Sequence, residues 1–245
     1  MTYLTSFHAI EERIKSGRPC GPLLVAKAGP RAKEIEKLAV NKKIRLERTG
    51  AFELDGLAPD NRGIALQVED EGGGADISLD DFIAGLDESR KDAIVLILDE
   101  ITDPHNYGAI LRSCDQFGVD LVISRNRRSA KHAPIISQTS AGAVSWVPQA
   151  ETSNLVRAMD DLKSVGFWIY GADMEGDPVY KTDLRGRTAF VLGSEGGGIS
   201  RLLYERCDAM VGIPSIGKID SLNVSVAAGI LLYEVCRQRS YRIKT

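Results

Sequence analysis

Short apolar runs alternate with helical patterns along residues 93–245, and this alternation restricts the fold more than any other feature of the chain. The run at 94–98 reads IVLIL, and the run at 188–192 reads TAFVL. Runs of this kind are typical of strands that are covered on both faces, and strands that alternate with helices form parallel sheets. Further strands are predicted at 119–123, 144–147, 167–171 and 209–213. The sequence therefore predicts an α/β domain with a parallel sheet.

The first 70 residues form a second, smaller α/β pattern. Helices are predicted over 6–17 and 31–43, and strands over 22–27, 44–48 and 62–68. Residues 71–92 are acidic and include three consecutive glycines, which is typical of a linker, with one short helix near Leu79–Leu86. We therefore expect one domain at 1–70, a linker at 71–92 and a larger domain at 93–245.

Composition bounds the class of protein. The chain carries 31 Lys and Arg against 34 Asp and Glu, a formal net charge of -3, so any contact with nucleic acid depends on local positive charge. The four cysteines and three histidines are scattered, so we expect reduced thiols and no metal site. The start, MTYLTSFHAIEER, lacks the pattern of a signal peptide, and no apolar run could span a membrane. We expect a cytoplasmic protein.

Two strand ends lead into loops that contain glycine. The run ending at Leu192 continues into Gly193–Gly198, with Glu195 as its one carboxylate, and the run ending at Ile213 continues into a Ser/Gly/Lys/Asp loop. Glycine lets the backbone approach a ligand closely, although ordinary strand-to-helix turns also contain it. No Lys-Ser/Thr pair follows the glycines and no GxGxxG follows the first strand. A Walker loop is therefore excluded, and dinucleotide binding has little support.

A third polar segment follows the strand that ends near Asp99. Ligands of parallel sheets bind beyond the carboxyl ends of the strands, so Asp99, Gly193 and Pro214 can belong to one site. Asp103 is expected to cap the next helix, with Pro104 in its first turn.

Together these segments resemble the three motifs of the SpoU family of AdoMet-dependent RNA ribose 2′-O-methyltransferases. The matching segments are DPHNYGAILRS at 103–113, LGSEGGGIS at 192–200 and IPSIGKIDSLNVSVAAG at 213–229. The resemblance implies a deep trefoil knot and a homodimer with its site near the dimer interface. Knots are rare in proteins, and only the resemblance implies this one.

The resemblance also implies catalytic or substrate-positioning roles for five polar residues. They are Arg112, Asn106, Glu195, Ser221 and Asn223. Arginine keeps its proton at neutral pH, so we expect Arg112 to hold the target phosphate and stabilise the developing alkoxide. Glu195 could orient Arg112 or Asn223, or accept from the ribose. Ser221 is also the expected N-cap of the last helix.

The cofactor implied by the resemblance is S-adenosyl-L-methionine (AdoMet). We expect main-chain atoms of the second and third motifs to hold it, at Leu192, Gly193, Gly198, Ile213, Gly217 and Leu222. Leu222 offers an apolar wall for adenine, although Leu222 and Ile213 could equally be core residues. Ser215 stands where methionine is common in the family.

The first 70 residues resemble the RNA-binding accessory domain of one SpoU subgroup. SFHAIEERI at 6–14, LLVAK at 23–27 and NRGIALQV at 61–68 carry this likeness, with Asn61-Arg62-Gly63 in place of a His-Gln-Gly-like turn. Four cations beside the first motif are expected to contact RNA phosphates: Arg125, Arg127, Arg128 and Lys131. The subgroup includes enzymes that methylate a guanosine ribose in 23S rRNA, which is the function we expect. A tRNA ribose methyltransferase, a resistance enzyme that methylates rRNA and a non-catalytic assembly factor remain alternatives.

Overall fold

The structure is a computed structural model. It describes residues 2–17, 19–27, 29–58, 61–68, 76–87, 89–125, 133–218 and 221–240. The chain divides into two compact units, Met1–Gly73 with Ala141–Ala143, and Gly74–Ser140 with Val144–Thr245.

The first unit is a four-stranded sheet with three helices in its described residues. Its elements are β1 Thr2–Leu4, α1 Phe7–Ser16, β2 Leu23–Val25, α2 Pro30–Asn41, β3 Leu46–Arg48, α3 Ala51–Leu57 and β4 Ile64–Val68. The strand order is β1-β4-β2-β3; β2 and β3 are parallel, and β4 is antiparallel to β1 and β2. Ser6 caps α1 and Gly17 ends it in the left-handed conformation, as the pattern predicts.

The second unit contains a six-stranded sheet. Its helices and strands are α4 Leu79–Ala84, β5 Ala93–Leu98, α5 Pro104–Phe117, β6 Leu121–Ser124, α6 Ala133–Thr139, β7 Gln149–Glu151, α7 Leu155–Ser164, β8 Trp168–Pro178, β9 Arg187–Leu192, α8 Arg201–Tyr204, β10 Ala209–Gly212 and α9 Val224–Gln238. The order is β10-β8-β9-β5-β6-β7, and every neighbouring pair is parallel. The predicted α/β class with a parallel sheet is confirmed.

The apolar runs of the central strands are buried from end to end because helices cover both faces of the sheet. Val95 and Val191 lie in a cluster with Met159 of α7 and Leu203 of α8. Leu96 and Phe190 are also fully buried, and α5 and α9 pack against each other. Because both faces are buried, these strands do not show the alternation of apolar and polar residues that a half-exposed strand shows.

The second unit includes residues 76–87, which the sequence pattern assigns to the linker. Phe82 of α4 is buried in the core cluster, and Asp76 forms a bridge with Gln149. Ser78 caps α4 by accepting from the amide of Asp81. The short helix predicted near Leu79–Leu86 is present as α4, and its apolar side packs into the core of the second unit. Residues 69–75 lie outside the described part of the chain.

The strand predicted at 144–147 is wrong. Residues Ala143–Ser145 form a 3-10 turn, and β7 begins only after Pro148. The Trp146 indole donates to Asp115 Oδ1 at 2.6 Å, and the Gln149 amide donates to the Val144 carbonyl at 3.2 Å. These side-chain hydrogen bonds hold the apolar segment as a turn, which its local pattern does not reveal.

Candidate active site

The three motif segments meet at the carboxyl edge of the sheet. β5 and β9 are parallel neighbours with Leu98 opposite Leu192, so Asp99 and Gly193 leave the sheet side by side. The loop after β10 runs to Asn223 at the start of α9, and Asn223 hydrogen-bonds to both of the other segments. One site built from three loops is therefore what the fold provides.

An amide–carboxylate cluster joins the three segments, and we define it as Asn106, Glu195 and Asn223. Asn223 Nδ2 donates to Glu195 Oε1 at 2.6 Å and to Asn106 Oδ1 at 2.9 Å. Asn106 Nδ2 donates to the same Glu195 oxygen at 3.2 Å. Glu195 Oε1 thus receives two hydrogen bonds, whereas Oε2 receives none from the residues that the structure describes.

The two asparagines of this cluster lie at the N-termini of two helices, which fix their positions. Asp103 caps α5 by accepting from the amides of His105 and Asn106, with Pro104 in the first turn, as predicted. Asn223 caps α9 by accepting from the amide of Ser225 at 3.0 Å. Because helix N-termini carry partial positive charge, both helices favour the negative charge of Glu195 between them.

The predicted capping role of Ser221 is wrong. α9 begins at Val224, and the side-chain oxygen of Asn223 satisfies its first turn. Ser221 is exposed in the preceding loop, and among the described residues it makes no hydrogen bond to the cluster. Serine and asparagine are about equally favourable as N-caps, so residue type does not choose between Ser221 and Asn223. In the structure Asn223, which lies beside Glu195, is the N-cap of α9.

The glycine turn presents Glu195 to solvent. Ser194 and Gly198 pair across it through two backbone hydrogen bonds, of 3.1 and 3.0 Å. A Cβ atom on Gly193 would overlap the carbonyl group of Gly198, so only glycine fits at the base of the turn. The conformation of the turn is therefore fixed by its own backbone hydrogen bonds and does not depend on a ligand.

A buried carboxylate, Asp99, closes the same turn. Asp99 is 1% exposed, and its Oδ2 accepts from the backbone amide of Ser200 at 2.8 Å, where α8 begins. Its Oδ1 is buried without a hydrogen-bond partner among the described residues. The sequence shows the position of Asp99 at a strand end but not this supporting role; an acidic residue directly after an apolar strand was the available signal.

Arg112 does not join the amide–carboxylate cluster of its own chain. It lies six residues after Asn106, which on an α-helix is about 240° around the axis and about 9 Å along it. The side chain is exposed and makes no hydrogen bond or ion pair within the described ranges. It remains available to another molecule.

The predicted cofactor residues surround the same edge. Leu192 is buried, and its carbonyl accepts from the Asp99 amide. Ile213 follows β10 directly. The Gly217 backbone amide donates to Ser215 Oγ at 3.3 Å, so the serine that replaces the family's common methionine forms a hydrogen bond within this loop. Leu222, beside Asn223, is 42% exposed.

Of the predicted RNA contacts, only Arg125 lies in the described part of the chain. It is exposed and stands 4.0 Å from Glu100, a distance at which an ion pair is weak. Arg127, Arg128 and Lys131 lie outside the described residues.

Other chemistries find little support here. Burial raises the pKa of the Cys207 thiol to about 12 and raises that of Cys114 even further, so both stay protonated at neutral pH. Across the described ranges, no group of three or more potential ligands could hold a metal ion. The same residues include no helix with the length and apolar character needed to cross a membrane.

Comparison with known proteins identifies the class. The chain belongs to the SpoU rRNA Methylase family, whose model matches residues 93–233. It is 41% identical over 218 residues to an uncharacterized tRNA/rRNA methyltransferase of Borreliella burgdorferi, covering 86% of this chain and 96% of that protein. It is 42% identical over 214 residues to the 23S rRNA (guanosine-2'-O-)-methyltransferase RlmB of Xanthomonas campestris, covering 86% and 84%.

The fold agrees with this family. The structure is similar to the SpoU methyltransferase AviRb from Streptomyces viridochromogenes, solved in complex with AdoMet, with a TM-score of 0.75 over 97% of this chain and 90% of that chain. At 24% identity this likeness shows the fold alone. The predicted family is confirmed, and the chain is an RNA methyltransferase.

Proposed function

We propose that this enzyme methylates a ribose 2′-hydroxyl of RNA with AdoMet as the methyl donor, and that the target is a guanosine of 23S rRNA. The observation that carries the proposal is the amide–carboxylate cluster, in which all three motif segments contribute one polar side chain. The relative RlmB, a 23S rRNA guanosine 2′-O-methyltransferase, supports the choice of target.

The carboxyl edge fits AdoMet in its chemistry. AdoMet supplies a methyl group on a positively charged sulfur, and Glu195 supplies negative charge nearby. The exposed backbone of the glycine turn and the apolar side chain of Leu222 suit the adenosine part of AdoMet, which carries no charge. We assign cofactor contacts to Leu192, Gly193, Gly198, Ile213, Gly217 and Leu222.

Glu195 is proposed to position the ribose. Its Oε2 atom is free to accept a hydrogen bond from the 2′-hydroxyl. Asn106 and Asn223 hold the carboxylate in place through hydrogen bonds to Oε1. Aligned groups that need no reorganisation lower the barrier to a displacement reaction. Ser221, two residues before Asn223, is assigned to the substrate side of the same loop.

Arg112 is proposed to serve the site of a second copy of the chain. Arg112 faces away from the cluster of its own chain. A stripe of apolar residues at helical spacing runs along α9 and starts just before it, and these residues are 37% to 50% exposed. The stripe consists of Leu222, Val226, Ile230 and Tyr233. Exposed apolar surface of this kind favours a homodimer. Arg112 would then hold the target phosphate and stabilise the developing alkoxide.

Residues 1–70, the predicted accessory domain, are proposed to bind RNA. Residues 1–70 contain twelve Lys and Arg against ten Asp and Glu, so this part of the chain is weakly basic although the whole chain is acidic. Arg125, together with Arg127, Arg128 and Lys131, is proposed to add phosphate contacts. The proposal includes the trefoil knot, on the strength of the family resemblance, and a cytoplasmic location.

The test is transfer of tritiated methyl groups from AdoMet to total RNA of cells that lack this protein, followed by fractionation. Label in 23S rRNA is the expected result. Label in tRNA would keep the chemistry and overturn the target. An absence of label in every fraction, including intact ribosomal subunits, together with no AdoMet binding by calorimetry, would favour the non-catalytic assembly factor.

The shared site has its own test. Arg112→Ala and Glu195→Ala should each be inactive alone. If Arg112 acts in the partner's site, mixing the two variants creates dimers with one intact site and restores activity. If Arg112 acts in its own chain, the mixture stays as inactive as either variant.

A further inference from the structure

The amino edge of the same sheet carries a second polar surface, opposite the candidate active site. β5, β8 and β9 are parallel, so their first residues lie at one edge. A shallow, open groove of about 490 Å³ lies there, lined by Trp168 and four cations, Arg90, Lys91, Arg185 and Arg187. A second groove of about 310 Å³ shares Arg185 and adds Tyr180, Lys181 and Arg237. We call these two together the amino-edge groove.

Two large aromatic side chains in this groove face solvent. Trp168 is 54% exposed and Tyr180 is 56% exposed. The Lys181 ammonium lies 5.8 Å from the centre of the Tyr180 ring. Exposed aromatic rings beside cations are the arrangement on which nucleotide bases stack.

The positive charge of the groove is only partly neutralised. Arg90 pairs with Asp120 at 2.6 Å, and the Arg185 guanidinium forms two hydrogen bonds with the Asp183 carboxylate. Arg237 pairs with Glu234.

Three further cations have no carboxylate partner in the described part of the chain: Lys91, Lys181 and Arg187. The Arg187 guanidinium is instead held by the carbonyls of Val165, Asp87 and Arg90, at 2.5 to 3.3 Å. Backbone carbonyls fix its position and leave its charge in place. A phosphate would supply the missing negative charge.

We propose that the amino-edge groove binds a single-stranded segment of the substrate RNA, with bases stacked on Trp168 and Tyr180 and phosphates against Lys91, Lys181 and Arg187. This inference rests on the proposed function, because it takes RNA as the substrate. β9 has six residues and spans about 20 Å, so the groove contacts RNA well away from the target nucleotide. The groove adds affinity and takes no part in the chemistry.

Direct binding tests the inference. The probe is a fluorescein-labelled oligouridine of about 20 nucleotides, a length beyond the site size of a typical single-strand binding groove, and anisotropy is measured with the full chain at rising salt concentration. Trp168→Ala should weaken binding about fivefold or more, since a stacked base contributes about 1–3 kcal/mol. The double variant Lys91→Glu/Lys181→Glu should reduce the salt slope by about 0.7 for each phosphate that the groove no longer neutralises.

Matched variants control for charge and folding. Arg157→Glu reverses an exposed cation of α7 outside the groove and should bind the probe as the wild type does. Trp168→Phe keeps an aromatic face and should recover part of the affinity that Trp168→Ala removes. All variants should bind AdoMet with unchanged affinity, because the cofactor residues lie at the other edge.

The outcomes separate this inference from the proposed function. Wild-type affinity and salt slope in both groove variants would overturn the inference, and the groove would then suit another partner such as a protein. If the wild type transfers no methyl group to any RNA while the groove variants lose affinity, the proposed function fails and the groove stands.

Discussion

The two edges of the six-stranded sheet hold their polar side chains in different ways. At the carboxyl edge, Asn106, Glu195 and Asn223 hydrogen-bond to one another, so each side chain fixes the next. At the amino edge, Arg187 is fixed by backbone carbonyls, and Lys91 makes no ion pair with the described residues. A mutual network suits chemistry that requires fixed geometry, and open cations suit binding of a flexible chain.

This difference gives each edge its own expected behaviour. A single change at the carboxyl edge disturbs groups that come from three segments and should lower the rate of methyl transfer. A change at the amino edge should alter RNA affinity and leave the rate at saturating RNA unchanged. The following variants test the carboxyl edge, from the largest expected effect to the smallest.

Arg112→Ala should reduce methyl transfer by about a thousandfold, the upper range for loss of a group that stabilises developing charge. AdoMet affinity, measured by calorimetry, should remain unchanged because Arg112 lies outside the glycine turn. Arg112→Lys keeps the charge and loses the two-pronged geometry, so it should recover only part of the rate. Near-normal turnover in Arg112→Ala would remove this residue from the mechanism.

Glu195→Gln should reduce the rate about a hundredfold, because the amide retains the shape of the side chain and loses the charge and one acceptor. Single-turnover assays at saturating RNA separate this effect from binding. Glu205→Gln, at an exposed carboxylate after α8 that pairs with Arg201, is the matched control and should be fully active. Equal rates in the two variants would show that the amide–carboxylate cluster is only structural.

Asn223 has two roles that substitution can separate. Asn223→Ala removes the N-cap of α9 and should lower the free energy of unfolding by about 1 kcal/mol, with loss of activity. Asn223→Ser keeps a capping oxygen and should recover the stability, but serine cannot bridge Asn106 and Glu195. Urea denaturation and methyl-transfer assays measure the two effects. An active Asn223→Ser enzyme would reduce the residue to a cap.

Asp99 supports the carboxyl edge from below. Asp99→Ala leaves the Ser200 amide without its acceptor and should destabilise the chain by about 1–3 kcal/mol. Asp99→Asn keeps an acceptor for that amide and should be close to the wild type in chemical denaturation. If both variants unfold alike, the hydrogen bond to Ser200 does not hold the turn.

The sequence predicts the fold well where apolar runs are long. The strands near 94–98 and 188–192 are recognisable because both faces of the sheet are buried. The pattern misplaces β7 because the Trp146–Asp115 hydrogen bond and the contacts of Gln149 hold the apolar segment before it as a turn. It assigns α4 to a linker because the acidic residues of this stretch outnumber the buried ones.

The candidate site is only partly visible in the sequence. Family resemblance brings Asn106, Glu195 and Asn223 together, and the structure adds how they are connected across 89 and 117 residues of chain. No local pattern distinguishes Asn223 from Ser221 as the cap, because their propensities are similar. The role of Asp99 and the amino-edge groove depend on strand neighbours, which a single sequence does not reveal.

The most direct test of the proposed chemistry is the identity of the methylated nucleoside. Purified enzyme, tritiated AdoMet and unmodified 23S rRNA are incubated, and the RNA is digested with alkali before nucleoside analysis. We expect label in an alkali-resistant dinucleotide that yields 2′-O-methylguanosine, and this label should form about a hundredfold more slowly with Glu195→Gln. Label on a base, released in alkali-sensitive mononucleotides, would contradict a carboxyl edge built to act on the ribose hydroxyl.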